Sequence, residues 1–556
     1  MRGSRGDACR HGGRKGVGRQ IPARPPEVGL TTSNDEERPD RLPLRDGEAE
    51  PGSLWPPEDE PGPDDTESEE RGIWRYEHCT RARLVIDAAD YFLLIQEAMM
   101  KARRRIMLIG WDFDTRIALG RGRGWLNIFK RHHPPRRLGA FIVWLTKRNP
   151  DLKIRVLKWN FAAIKMFFRG SMILDMWRWF KNRRITFKFD AAHPMGCSHH
   201  QKIVVIDDRF AVCGGIDMTA DRWDTSEHSE TDRLRRAPGG RRYMPWHDLT
   251  MLVEGEVAGA LDELGRNRWR IAGGEDIGAL PHQPDSPWPE GLEPQFTDIE
   301  IGIARTRAEW KDNDGIFEIE TLFLDMIRKA KRFIYAENQY FASRKIAEVI
   351  AERMAEPDPP EIVLLNPLFA DGWLEQEAMD TARARLVETI ARVDHKKRFR
   401  IYNPLTEGGS PIYVHAKLTI VDDMMLKVGS ANMNNRSLGL DSECDLFIDA
   451  NRPANAGCDV QIRQIRHSLL AEHIGVEPEE IEGLLERYGS MHEMIAQHPQ
   501  PRRRLQVLPP REMNDLEKRM ADEEWLDPED PGDFFEPIVG SKSKRAALFR
   551  KLRAPG

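Results

Sequence analysis

The sequence predicts an α/β fold in which one unit occurs twice, the two copies packed about a pseudo-twofold axis around a single site. Three observations lead there. A helix-then-strand pattern returns after a Pro-rich break, so that MMKARRRIMLIGW in the first half lines up with IRKAKRFIYAENQYF in the second. Each half carries one His-x-Lys-x4-Asp motif. Each motif is followed by a second apolar run that ends on a glycine pair or Gly-Ser.

In chain order, residues 1–72 are rich in Gly, Pro, Arg and acidic side chains, bury almost nothing and read as a disordered segment. Residues 73–280 form the first unit. It opens as strand, amphipathic helix, strand, with Asp87 as helix start and Tyr91, Leu94, Ile95, Ala98 and Met99 at helical spacing. Residues 281–310, opening on PHQPDSPWPEGLEPQ, read as a linker. Residues 311–477 form the second unit, in which Phe317, Leu322, Phe323, Met326 and Ile327 fall on or near one helical face. Residues 478–556 read as a charged, peripheral tail.

Bulk properties exclude several classes. With 84 Lys and Arg against 90 Asp and Glu the net charge is −6, which disfavours a general nucleic-acid coat. The six cysteines have neither CxxC nor zinc-finger spacing and read as reduced, buried thiols. The basic N-terminus has no apolar stretch of signal-peptide type, and nothing approaches the ~20 apolar residues of a membrane span. The expected location is therefore cytoplasmic or peripheral at a membrane, with leaderless secretion compatible.

The two motifs carry the chemistry. They are His200-x-Lys202-x4-Asp207, within SHHQKIVVIDDRFAVCGGIDM, and His415-x-Lys417-x4-Asp422, within VHAKLTIVDDMMLKVGSANM. Residues i and i+2 of a strand point the same way, so each histidine shares a face with its lysine. Pseudo-twofold packing then gathers two imidazoles and two ammonium groups about one small volume, which suits a phosphodiester. The lysines neutralise its charge, one histidine attacks phosphorus, and the other protonates the leaving alcohol. That division needs opposite protonation states, and two coupled imidazoles can share one proton.

Together with GGIDMTADRWDT (214–225), PWHDLTMLVEG (245–255), FIYAENQYF (333–341), GSANMNNRS (429–437) and LLAEHIG (469–475), these motifs resemble the phospholipase D superfamily over roughly residues 75–475. The chain is more similar to phospholipase D proper, including bacterial phospholipase D-like members, than to the nucleases. The resemblance implies two repeats, each a mixed sheet flanked by helices, and a phosphohistidine intermediate with no metal or other cofactor. It makes His200 the nucleophile, His415 the general acid and then base, and Lys202, Lys417 and Asn432 phosphate ligands. Asp217 stands where Asn432 does in the other repeat, either touching phosphate or holding a lysine. Asp248 and Glu443 match carboxylates that orient the imidazoles. Asp207 and Asp422 complete the catalytic motifs, although strand-end anchoring suits them better than chemistry.

The implied activity is cleavage, or alcohol transfer, at the phosphate–headgroup bond of a glycerophospholipid on a membrane surface. The chain would act as a monomer, because both half-sites lie in one chain, and without a nucleic-acid partner. Alternatives are cardiolipin synthase-like phosphatidyl transfer, nucleic-acid phosphodiester cleavage and a non-enzymatic scaffold. Four weaker signals remain. His199 reads as a packing or supporting residue, and Glu337-Asn338-Gln339 as support for the site. Loop 221–246 is either substrate-selecting or passive. The aromatic, basic run 161–182 reads as an interfacial helix or, because Gly170 and Asp175 interrupt its apolar face, as a helix that caps the mouth of the site or packs in the core.

Overall fold

The computed structural model describes residues 72–121, 134–160, 171–281, 285–311, 313–369 and 373–509. The N-terminal segment, the end of the tail and residues 161–170 of the run 161–182 thus lie outside the described residues. The first half runs β1 (Arg75–Ile86), α1 (Ala88–Lys101), β2 (Arg105–Gly110), α2 (Leu138–Arg148), β3 (Lys153–Trp159), α3 (Met172–Phe180), β4 (Ile185–Asp190), β5 (Ile203–Ile206), β6 (Phe210–Gly214), β7 (Trp246–His247), β8 (Leu249–Gly255) and α4 (Glu256–Ile271). The second runs β9 (Phe296–Arg307), β10 (Ile316–Phe317), α5 (Glu318–Lys329), β11 (Phe333–Asn338), α6 (Arg344–Met354), β12 (Glu361–Leu365), α7 (Trp373–Ala391), β13 (Phe399–Leu405), β14 (Tyr413–Val414), β15 (Lys417–Val421), β16 (Met425–Gly429) and β17 (Glu443–Asp449). It closes with α8 (Cys458–Ile474), α9 (Glu480–Tyr488), α10 (Met491–Gln497) and β18 (Arg504–Val507).

The duplication is written into the strand order. All strands but β7 and β14 join one mixed sheet, β18-β13-β12-β11-β15-β16-β17-β9-β1-β8-β6-β5-β2-β3-β4, with β10 on β9. Counted outward from the antiparallel β9–β1 seam, β17 answers β8, β16 answers β6, β15 answers β5, β11 answers β2, and β12 and β13 answer β3 and β4. The β2-β3-β4 and β11-β12-β13 blocks are parallel, and the ladders between them are antiparallel. Parallel strands need crossovers, which the helices supply, and these cover the sheet. One core is shared by both halves, with Cys213, Leu249 and Met251 packed in the same cluster as Val428, Cys444 and Leu446. Two further cores lie under α1–α3 and under α5–α6.

Helix signals correspond to physical features. Asp87 precedes α1 with a φ of 63°, and Tyr91, Ile95, Ala98 and Met99 are buried. Phe317 is an exception: it lies in β10, half exposed, and Ile319 takes the buried place at the start of α5.

Two boundaries differ from the sequence reading. The range 281–310 is not merely a linker, since β9 occupies the middle of the sheet. Its alternating Ile299, Ile301 and Ile303 are buried, a signal overshadowed by the prolines just before it. Nor does the second half stop at 477. Ile481, Met491, Met494 and Ile495 bury one side of α9 and α10 beneath their charges, and β18 pairs antiparallel with β13. The five described cysteines are free and buried. No helix among the described residues is long and apolar enough to cross a membrane.

Candidate active site

The site forms where two short crossings stitch the halves together. β7 pairs in parallel with β14, Val414 beside His247, and an isolated parallel bridge joins His199 to Ser442. Each crossing ends one residue short of a histidine on one chain segment and a carboxylate on the other. Backbone hydrogen bonds complete the alignment: His200 N donates to Ser442 O (2.9 Å) and His415 N to His247 O (2.8 Å).

The result is a reciprocal exchange. His200 Nδ1 lies 2.9 and 3.1 Å from the two carboxylate oxygens of Glu443, which belongs to the second half. His415 Nδ1 lies 2.7 Å from Oδ2 of Asp248, which belongs to the first. An ionised carboxylate only accepts, so each Nδ1 carries the proton and each Nε2 keeps its lone pair. Hydroxyls of Ser430 and Ser437 donate to Glu443 and fix it in turn. The glycines after the motif strands are steric necessities here. A Cβ on Gly215 would stand 2.1 Å from Asp248 Oδ1, and one on Gly429 2.0 Å from Asp445 Oδ1.

The lysines are buried beside the imidazoles. Lys202 Nζ donates to His200 O (2.8 Å) and lies 3.3 Å from Asp217 Oδ2, so Asp217 holds a lysine. Lys417 Nζ donates to Gln339 Oε1 (3.0 Å) and to the carbonyl of His415. Gln339 thus supports the site from the strand end, as its position suggested. Asn432 is 4% exposed, lines the cavity, and its Oδ1 has no hydrogen-bond partner among the described residues.

Both imidazoles and Asn432 line a cavity of about 210 Å³. Its walls include Trp111, Trp159, Trp246, Arg222 and Arg436, and Trp111 stacks on Trp159 with ring centroids 5.9 Å apart. Sequence reading missed Trp111, Trp159, Arg222 and Arg436. Their only local signal is position: Trp111 and Trp159 sit at the C-terminal ends of β2 and β3, where open α/β sheets bind ligands.

Burial dominates the electrostatics. It drives His200 and His415 well below the ordinary imidazole value, and the nearby lysines push the same way, joined at His415 by Arg222. Burial lifts Glu443 to about 7 against the pull of Lys202, and Asp248 to about 7 against that of Lys417. It lowers Lys417 to about 7 despite Asp248. Above about pH 7, where both carboxylates are ionised, the two imidazoles are neutral in the site without substrate.

Asp207 and Asp422 do not join the cavity. Each sits at the other end of the strand from its motif histidine, and corrects its grouping with the catalytic set by what it binds. Asp207 accepts from the amides of Arg103, Arg104 and Arg105 (2.5–2.8 Å), and Asp422 from those of Lys331, Arg332 and Phe333 (2.6–2.8 Å). They anchor the starts of β2 and β11. His199 also faces away, its Nδ1 on Ser442 Oγ (2.6 Å) and its Nε2 3.1 Å from Asp190, with burial lowering it to about 4.

Behind Asp248 lies a second cluster that no short motif announced. His247 Nε2 contacts Glu337 (2.7 Å) and its Nδ1 lies 2.8 Å from Glu472; His228 contacts Asp224 (3.1 Å) and Glu472 (3.0 Å); His473 contacts Glu337 (3.1 Å). Burial opposes charge on His228, yet Asp87, Asp224 and Glu472 outweigh it and lift it to about 9. Burial would raise Glu337, but His247 and His473 hold it down to about 2. Ligand atoms of Asp87, His228, His247 and Glu472 come within 4.8 Å of one another, close enough in principle for a cation. The 2.7–3.1 Å contacts are, however, those of hydrogen bonds, charge-assisted at His228 and His247, whose imidazolium forms the surrounding carboxylates favour. His228 and Asp224 come from loop 221–246, which is therefore tied into the body, while its Arg222 and Trp246 reach the cavity.

Comparison with known proteins agrees with this picture. The family model described as Phospholipase D matches residues 98–286 and 376–500, one segment in each half. The chain is 25% identical to Phospholipase D A of Dictyostelium discoideum over 473 residues, covering 71% of this chain and 36% of that protein. It is 24% identical to Phospholipase D1 of Saccharomyces cerevisiae, covering 75% and 30% respectively. With Phospholipase D alpha 1 of Carica papaya it shares 25% identity, covering 69% and 64%. The chain thus spans about a third of the amoebal and yeast proteins and just under two thirds of the plant one.

Proposed function

The chain belongs to the phospholipase D family, and on that premise we propose that it cleaves glycerophospholipids between phosphate and headgroup through a phosphohistidine. The observation that carries this reading is the exchange of carboxylates, which presents two Nδ1-protonated imidazoles to one cavity, with a buried lysine two residues beyond each. His200 Nε2 attacks phosphorus; the bond from phosphorus to the headgroup oxygen breaks, and His415 supplies the proton that oxygen needs. His415, now neutral, takes a proton from water, whose oxygen displaces His200 and yields phosphatidate. An alcohol in place of water gives transfer instead of hydrolysis.

His415 must be charged to act as acid. The anionic phosphate offsets the cations that depress it, so that charge develops with substrate in place. Asp248 then holds the imidazolium and Glu443 keeps His200 in the attacking tautomer. Lys202, Lys417 and Asn432 bind the phosphate oxygens, and Asp217 holds Lys202. The enzyme works from the aqueous side as a peripheral protein, as a monomer, without metal, and with no nucleic-acid partner. The test is product analysis of phosphatidylcholine and phosphatidylethanolamine vesicles with ethanol present. Phosphatidate and phosphatidylethanol should form, and neither with His200→Ala; near-normal turnover in that variant refutes the mechanism.

A further inference from the structure

Helix α3 is apolar on both sides. Met172, Met176 and Trp179 are buried against α2 and β4, and Trp179 Nε1 donates to Gly139 O (3.1 Å). Asp175, which in sequence interrupts the apolar face, points inward. It is 3% exposed, accepts from Thr115 Oγ1 (3.0 Å), and lies 3.2 Å from Arg137. The opposite face is therefore uninterrupted: Ile173, Leu174, Trp177 and Phe180 are 54%, 61%, 56% and 69% exposed. Their spacing of one, four and seven residues makes a single stripe. A soluble surface helix normally turns such a stripe inward, and an outward one marks an interaction site.

The surroundings identify the occupant. Lys181 and Arg183 are exposed, and Lys181 Nζ sits 3.6 Å over the Trp177 ring. Arg137 and Arg178 share the one buried carboxylate of Asp175, which leaves the rim positively charged. An apolar stripe with Trp and Phe, bordered by Lys and Arg, is the pattern of a helix that lies in the headgroup layer of an anionic bilayer. The helix is also tied to the catalytic cavity. Thr115, which holds Asp175, lies four residues along the same loop from Trp111 in the cavity wall.

We propose that α3 is the membrane-docking element of this protein, with its outer face seated in an anionic phospholipid surface. This rests on the phospholipid reading above and adds to it the partner surface and the residues that meet it. The test uses the full chain, flotation with phosphatidylcholine vesicles with and without about a third phosphatidylglycerol, and hydrolysis of a dispersed short-chain phosphatidylcholine. Leu174→Ser with Trp177→Ser should weaken binding to the anionic vesicles at least ten-fold and leave dispersed-substrate hydrolysis unchanged. Lys181→Glu with Arg183→Glu, which keeps the apolar stripe, should remove the preference for anionic vesicles. Unchanged vesicle binding in the serine variant overturns the proposal. So does loss of dispersed-substrate hydrolysis with it, which would place the stripe inside the working fold, or conversion of a wild-type dimer to a monomer, which would make a second copy the occupant. Binding through α3 without turnover of any phospholipid would leave the docking intact and sink the proposed activity.

Discussion

Replacing Glu443 with glutamine separates chemistry from stability, because the structure pulls the two in opposite directions. The side chain is fully buried, and burial lifts its carboxyl from 4.5 to about 7. A buried acid raised that far costs the folded protein about 3 kcal/mol once it is ionised, at ~1.4 kcal/mol per tenfold. Folded and unfolded states are equally protonated below 4.5, the unfolded chain ionises first as the pH rises, and the full cost is reached above about 7. Glutamine keeps the volume and carries no charge, so at pH 8 the variant should be at least as stable as wild type, with the difference vanishing towards pH 4.5. Activity should move the other way. With its carbonyl towards Ser430 or Ser437, the amide NH2 faces His200 Nδ1 and forces that nitrogen to accept, which shifts the ring proton to the Nε2 that must attack. A loss of roughly 10²–10⁴ in kcat is expected, the scale of general acid–base and tautomer effects. Urea denaturation at pH 5 and pH 8, beside headgroup release from phosphatidylcholine, measures both. A rate within ten-fold of wild type, or an activity loss that merely tracks unfolding, refutes the reasoning.

Asp207→Asn and Asp422→Asn should show the converse: each weakens a carboxylate bonded to three backbone amides, costing about 1–3 kcal/mol, while kcat per folded molecule stays near wild type. A large kcat loss at full folding would return these residues to the chemistry. His228, lifted from 6.5 to about 9, contributes stability that is complete below pH 6.5 and disappears as the pH climbs through 9; in His228→Gln the urea midpoint should lose that alkaline decline between pH 6.5 and 10. An identical slope in both proteins would mean that the imidazole is not charged in the fold.

What was legible in the chain was what strand geometry and duplication can encode. The His200–Lys202 and His415–Lys417 spacings place each pair on one strand face, and the returning helix–strand pattern marks the two halves that the family model also matches. What was not legible is long-range pairing. No spacing says that Glu443 turns to His200 and not to His415, since that follows from the Val414–His247 and His199–Ser442 crossings. Three members of the His228–His247–Glu337–Glu472 cluster lie in segments that carry the family resemblance, yet no spacing within any of those segments says that they meet. Strand β9 was missed because a proline-rich approach disguised its alternation. Asp175 misled for a simpler reason: one charge in an apolar run reads as an interruption until its side chain is seen to face the core.

Because each histidine takes its orienting carboxylate from the opposite half, a lone half would own an imidazole with nothing to set its proton. A single-copy ancestor of this unit would have been competent only as a pair of identical chains, its rate falling with the square of dilution. Fusing the copies made assembly of the site intramolecular and freed it from concentration. It also freed the two halves to diverge, so that only one of them carries the loop that brings Arg222 into the cavity.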